Sequence, residues 1–437
     1  MEKVKSGLLI LLVLLSLALS YLLWYGSPPY ELSRPITSER IQFSSSRTLS
    51  ELVVPDRVVF TREDGVHHLF GPGQELFQAA FTLFKNTLQE ALSWREAEEE
   101  ELAALEEEGG VRLDFLYPYP FIDRNNQAVE PPFPDIYQLF LPLAGEEAWL
   151  KGGEGRYYIL TLGDARQDLL QRFAAAENLT PYRLLLDSDL PPEEPLSFSR
   201  ELYLPEEAVE FPSQLWQREK LDLERLLRVF FIDMSLVRRI EEKDGAVIYT
   251  DGQKGARVYP NGAIEYTTAG GKDSLLAGTQ ALAQAGEIIA LYGGWTASLY
   301  PWGPPGPEPL AERQQLLFVP YSAGKPLVSL EGGVSLSVSN RGAQSFLRNL
   351  MVPTEEPMGP VVSMPAEEVF QQAVVFVLEE LADEGPLELR GFYPGYYMRE
   401  PFFESRQVVS AWFLEVEGRG LAVFNAINGL PLAFLQF

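Results

Sequence analysis

Residues 231–266 read FIDMSLVRRIEEKDGAVIYTDGQKGARVYPNGAIEY. Within this stretch, 246–250 and 256–259 are short strand-like runs, Pro260-Asn261-Gly262 is a turn, and 263–267 is a third strand. Short runs separated by turn residues predict antiparallel hairpins. A helix is expected over 273–291, then strands near 297–300 and 316–319. The unit is thus an antiparallel sheet with one face covered by a single helix.

Toward the C-terminus the same element order recurs. Strands are expected at 334–338 and 345–347, a helix at 366–383 stopped by Gly385-Pro386, and strands at 387–392, 408–416, 420–425 and 432–434. Glu417-Gly418 and Asn428-Gly429 carry the hairpin signals. The match lies in element order and hardly in residues, and it predicts two similar domains. The proline-rich 301–309 is read as a loop inside the first.

Toward the N-terminus, a helix over 219–228 leads into the repeated part. The stretch 111–204 alternates strand-like pieces (157–162, 182–186) with a helix at 167–177, an α+β pattern. Before it, 53–60 and 67–70 flank Asp64-Gly65 as a β-hairpin. Leu76, Phe77, Ala80, Phe81, Phe84, Leu88 and Leu92 then recur at helical spacing. That helix is expected to continue through the glutamate-rich 95–108, with Leu102 and Leu105 as its large apolar positions, and to stop at Gly109-Gly110. The acidic run reads as a solvated face.

The beginning of the chain differs in kind. Residues 8–25 are almost unbroken apolar sequence after Lys3 and Lys5. At about 1.5 Å per residue such a run just crosses a hydrocarbon core of about 30 Å. The lysines place residues 1–7 in the cytoplasm and the body outside, with Trp24 and Tyr25 at the outer interface. A cleaved signal peptide is the competing reading, but Leu22 to Tyr25 occupy the place of its small residues. Ser16 and Ser20, with Leu12 and Leu23 adjoining, form a small-residue face suited to close approach of another membrane helix. The expected organisation is a tail (1–7), a transmembrane helix (8–25), a stalk (26–50), an α+β domain (51–215), a middle domain (216–330) and a C-terminal domain (331–437).

Composition narrows the function. A net charge of -27 argues against nucleic acid, whose phosphates need clustered Lys and Arg. The chain has no cysteine and two histidines, His67 and His68, which on a strand point to opposite faces. No metal site and no cofactor is expected. Nucleotide loops and the G-x-S-x-G elbow are missing from the sequence. Ser322-Ala323-Gly324-Lys325 spells S-x-x-K, yet Gly324 inside it and Pro326 after it describe a turn, and no S-D-N accompanies it. Asp187-x-Asp189 starts like a calcium loop, but Pro191 and Pro192 interrupt it. No catalytic residue is assigned. The aromatic segment with Tyr396 and Tyr397 reads either as strand core or as a partner surface.

On the anchor followed by Trp24 and Tyr25, on 49–60 (LSELVVPDRVVF), and above all on 231–266 with its Tyr249-Thr250-Asp251-Gly252 turn, the chain resembles the YycH family. These are membrane-anchored extracellular regulators that accompany the YycG (WalK) sensor histidine kinase in Gram-positive bacteria. Residues 412–429 also resemble YycI and PepSY-type modules. The resemblance implies a three-domain extracellular body without a catalytic site, which acts with YycI on the kinase through contacts between transmembrane helices. An extracytoplasmic protease inhibitor or wall-associated binding module built on PepSY-like units is the alternative. A wall-modifying enzyme would need a site that the sequence does not present.

Overall fold

The computed structural model describes residues 41–437 apart from 91–92, 108, 121–134, 163–171, 174, 177–178, 193–194, 270–273, 304–311, 382–384 and 400–407, together with 13, 15 and 16. The expected membrane helix therefore lies outside the described residues, save that Val13, Leu15 and Ser16 are helical and exposed. Among the described residues no helix is long and apolar enough to cross a membrane. The chain divides into two compact units, Met1–Ile41 and Gln42–Phe437, and the sheets all lie in the second.

Of the region expected as stalk, the described part lies against the body. After an extended run comes the single-turn helix α1 (Leu49–Leu52). The N-terminal sheet comes next. Strands β1 (Pro55–Thr61) and β2 (His67–Phe70) form the hairpin that Asp64-Gly65 announces. Helix α2 (Glu75–Glu90) packs Phe77, Ala80, Phe81, Phe84 and Leu88, one face at helical spacing, on the sheet. It does not run on into the acidic segment. Instead β3 (Ser93–Ala97) pairs with the edge of the sheet, and the separate helix α3 (Glu99–Glu106) starts from a capping box in which Glu101 accepts from the Glu98 N–H. Leu102 of α3 is buried, and Leu102 and Leu105 pack with Phe140, Trp149 and Ile159 on the opposite sheet face.

Strands β4 (Gly110–Pro120), β5 (Asp135–Pro142), β6 (Glu147–Lys151), β7 (Tyr157–Thr161), β8 (Tyr182–Leu184), β9 (Leu196–Phe198) and β10 (Tyr203–Pro205) continue the chain. The nine-stranded sheet is antiparallel throughout, in the order β10-β8-β2-β1-β4-β5-β6-β7-β3. Strand β9 belongs elsewhere.

The strand β11 (Glu210–Arg218) and helix α4 (Leu223–Phe230), capped by Asp222, lead into the quoted stretch. There β13 (Val247–Thr250), β14 (Lys254–Val258) and β15 (Ile264–Thr268) form the expected meander, and β12 (Arg238–Glu241), a strand not expected from the sequence, extends it at the edge. Helix α5 (Gly278–Leu291) buries Ala281, Leu282, Ala285, Ile288 and Ile289. Its small residues let other segments come close. A Cβ on Gly286 would stand 2.1 Å from the Arg47 carbonyl oxygen. The preceding chain is fastened here: the Phe43 N–H donates to Ala290 O (3.0 Å), the Trp295 N–H donates to Ser44 Oγ (3.0 Å), and the Arg47 guanidinium lies 4.4 Å above the Trp295 ring.

Strands β16 (Leu299–Trp302), β17 (Gln315–Ser322), β18 (Lys325–Val328), β19 (Gly333–Ser339) and β20 (Gly342–Asn349) complete this part. The expected grouping of strands is corrected here. Element order assigns the hairpin β19–β20 to the second repeat, but it inserts between β15 and β17 and closes the first sheet. Strand ownership is decided by non-local pairing, which element order does not carry.

The last part contains β21 (Met351–Val362), paired with β11, helix α6 (Ala366–Glu380), and β22 (Leu387–Met398), β23 (Val408–Val416), β24 (Gly420–Asn425) and β25 (Pro431–Leu435). Residues on one face of the β22–β25 sheet pack with α6, and those on the other face form a second cluster with Trp302, Val319 and Val328. Burial on both faces explains why β23 and β24 read as nearly continuous apolar runs. The fold is mixed α+β. Parallel pairs β18·β22 and β9·β22 join the antiparallel parts, so one hydrogen-bonded path runs β12-β13-β14-β15-β20-β19-β17-β18-β22-β23-β24-β25.

Candidate functional site

The residues singled out by sequence do not assemble into one site. Of Leu12, Ser16, Ser20 and Leu23, only Ser16 is described. Tyr249, Thr250, Asp251 and Gly252 lie at the β13–β14 connection, where their polar groups serve the turn. Thr250 Oγ1 donates to Lys254 O (2.7 Å) and accepts from the Gly252 N–H (3.0 Å), and Asp251 Oδ1 accepts from the N–H groups of Gln253 and Lys254 at 2.9 and 2.8 Å. Gly252 has φ +92°, a conformation that glycine adopts without a Cβ penalty.

Tyr396 and Tyr397 are corrected as a partner surface. Successive strand residues point to opposite faces, and both faces of β22 are covered. Tyr396 is 3% exposed between Phe211 and Trp216, its hydroxyl donating to Pro212 O at 2.9 Å, and Tyr397 is 9% exposed in the opposite cluster. A run of exposed apolar side chains lies instead at the start of the quoted stretch. Ile232 (98%), Leu236 (67%) and Ile240 (48%) face solvent on and before the edge strand β12.

A cleft of about 140 Å³ opens where β1, β2, β8 and β10 meet the β17–β18 turn and β22. Its charged walls come from distant parts of the chain. Arg200 donates to Asp56 Oδ2 (2.7 Å) and to Arg390 O (2.7 Å), and the Tyr393 hydroxyl donates to Glu415 Oε1 (2.7 Å). Arg57 donates to Asp114 Oδ2 at 2.5 Å, Arg112 Nε stands 3.2 Å from Asp114 Oδ1, and Arg112 also pairs with Glu201. Burial alone would raise the Asp114 carboxyl, but Arg57 and Arg112 outweigh it and hold the group down at about 2. Burial, and then the Asp56 and Glu415 carboxylates, push the Tyr321 hydroxyl far above its ordinary range.

Lys325 breaks this pattern of mutual satisfaction. The Ser322–Lys325 string is the turn expected from Gly324 and Pro326. Ser322 and Lys325 pair across it, with Ala323 at φ 49° and Gly324 at φ 78°, the two positive values of a tight hairpin turn. The turn directs Lys325 into the cleft wall, where its Nζ lies 5.5 Å over the Phe211 ring. Among the described residues, no carboxylate oxygen pairs with it. Burial pushes its ammonium down to about 8, against the opposing pull of Glu210. The sequence marks this string only by its S-x-x-K spelling and does not show the isolated charge. The isolation depends on which strands surround the turn, and no local signal reports that.

Residues 2–122 match the family model described as the YycH protein, N-terminal domain. No curated protein sequence matches the chain. The structure is similar to the crystal structure of YycH from Bacillus subtilis, with a TM-score of 0.62 at 12% identity, over 89% of this chain and 100% of that one. A crystal structure of an uncharacterized protein from Eubacterium rectale aligns with a TM-score of 0.36 at 10% identity, over 56% of this chain and 92% of that one. Residues 2–122 thus carry a YycH N-terminal domain, and the chain shares the fold of the Bacillus subtilis YycH structure.

Proposed function

We propose that the chain is a membrane-anchored, extracytoplasmic regulator of a YycG (WalK) type sensor histidine kinase, acting without catalysis of its own. The observation that carries this reading is the family match over residues 2–122, which takes in the apolar run and the first part of the body. A YycH N-terminal domain supports kinase regulation in general terms. The finer reading is that residues 8–25 span the membrane with the N-terminus in the cytoplasm. Leu12, Ser16, Ser20 and Leu23 then contact the kinase, together with a YycI-like protein, within the bilayer. A body outside the membrane influences such a contact only through unequal affinity for the states of the kinase.

The boundary of the compact unit after Ile41 gives the test. Residues 1–41 expressed alone should change kinase output in cells, and residues 42–437 released from the membrane should not. Kinase output that responds to the released body and ignores the anchor would reject the reading. Replacing Ser16 and Ser20 with Leu should weaken co-purification with the kinase, because bulk at a small-residue face prevents close helix approach.

A further inference from the structure

Strand β12 stands at one end of the long sheet path and, among the described residues, pairs with β13 alone. All four of its residues are exposed, so its outer backbone groups form an open sheet edge, a template for another strand. Which groups point outward follows from the hairpin. The Glu242 N–H donates to Ala246 O (2.8 Å), and hydrogen-bonded pairs alternate along an antiparallel ladder. Arg238, Ile240 and Glu242 therefore bond toward β13, and Arg239 and Glu241 turn their N–H and C=O groups to the open side.

Arg238-Arg239-Ile240-Glu241-Glu242 is a charge pattern that becomes its own complement when reversed. In a chain of net charge -27, this stretch is neutral. An antiparallel second copy centred on Ile240 sets Arg239 opposite Glu241 and Arg238 opposite Glu242, at both ends. Ile240 meets its own counterpart. In that register the outward groups of Arg239 and Glu241 face each other, as the ladder requires. Centring on Arg239 or on Glu241 keeps the ladder but sets like charges directly opposite, which is unfavourable. Within one chain Arg239 pairs with Glu241, and Glu242 meets Arg257 at 2.8 Å. Among the described residues, no carboxylate pairs with Arg238. Charges on an edge strand ordinarily discourage pairing; here their order favours one partner.

We propose that two copies of this chain associate through β12, antiparallel, about a two-fold axis at Ile240. The contact is isologous and closes at the dimer. Ile248, opposite Ile240 on β13, continues the apolar row on the same sheet face in each copy. Ile232 and Leu236 lie outside the paired positions. The pairing does not depend on any action on a kinase.

The test is sedimentation velocity of the purified full-length chain in detergent over a range of concentrations. A monomer–dimer equilibrium is expected. Arg239→Glu and Glu241→Arg should each weaken it by about tenfold or more, since both opposed pairs become like-charged. Mixing the two variants, or combining both changes in one chain, should restore it, which neither misfolding nor contacts elsewhere would produce. Position is read by cross-linking. The chain has no cysteine, and Ile240→Cys should give a disulfide-linked dimer under mild oxidation, because side chains of a non-hydrogen-bonded pair stand close. Ile232→Cys, at the more exposed position, should not. A monomer at every concentration would leave the edge to a strand of another protein and overturn the proposal. A dimer indifferent to Arg239→Glu, or equal cross-linking at both cysteines, would overturn it too.

Discussion

Two charge centres, one reaching the cleft wall through Arg57 and the other through Lys325, are built on opposite terms. Around Asp114, guanidiniums and carboxylates alternate, so that the Asp114 carboxylate meets Arg57 and Arg112, and Arg112 also meets Glu201. Around Lys325 the ammonium faces an aromatic ring and a carboxylate too distant to pair. Desolvation costs both centres. In the first, attraction offsets what burial takes; in the second, the cost stands. A fold keeps such a debt where another molecule can cancel it, and the difference separates a structural cluster from a candidate binding wall.

The largest effect should come from unbalancing the balanced centre. Asp114→Asn leaves Arg57 and Arg112, each about 15% exposed at the side chain, without their shared carboxylate. We expect a loss of about 3–5 kcal/mol, read by denaturant unfolding, as for a broken buried pair. The folded Asp114 pKa of about 2 lies below its ordinary 3.8. Its stabilisation is therefore complete above pH 3.8 and is lost as pH falls through 2. Acid unfolding of the variant should lack this component.

Removing the unbalanced charge should have the opposite sign. Lys325→Met is expected to stabilise the ligand-free protein by about 1–3 kcal/mol at pH 7, because burial penalises the charged form. The folded pKa of about 8 lies below the ordinary 10.5. The wild type should therefore gain stability as pH rises from 8 to 10.5, and the gap to the variant should close over that window. A wild type that remains level across it would mean that Lys325 is paired in solution.

Smaller changes sharpen the contrast between buried and exposed parts. Tyr396→Phe deletes the hydroxyl that donates to Pro212 O but keeps the ring between Phe211 and Trp216. A cost of about 1 kcal/mol is expected, measured as a shift in the unfolding midpoint at constant slope. The smallest effect is expected for Ile232→Ser combined with Leu236→Ser. These side chains are 98% and 67% exposed, and stability should change by less than about 0.5 kcal/mol. A larger loss would show that the β12 edge is covered in the folded protein.

Much of the architecture is legible in short windows of sequence. The Asp64-Gly65 turn gives the β1–β2 hairpin, the spacing of Phe77, Phe81 and Phe84 gives α2, and Pro260-Asn261-Gly262 gives the β14–β15 connection. The failures lie where a choice is made at a distance. Strand β3 looks like more of the preceding helix because its side chains are mostly exposed. Its strand character comes from the β7 edge it covers. Likewise β19 and β20 carry no mark of belonging with β15 and β17. The cleft charges are less legible still. Arg57, Arg200, Lys325 and Arg390 are scattered along the chain, and only the joining of β18 to β22 brings the last two together.

The fastening of residues 42–52 to α5 has a mechanical consequence. Tension arriving along the backbone at Gln42 meets folded structure first at this clasp, held by the Ala290 carbonyl, the Arg47 grip and a notch the size of one glycine. Behind it stand ladders many bonds long. The clasp is therefore the first part of the folded body that a pull on Gln42 would load, ahead of the strand ladders.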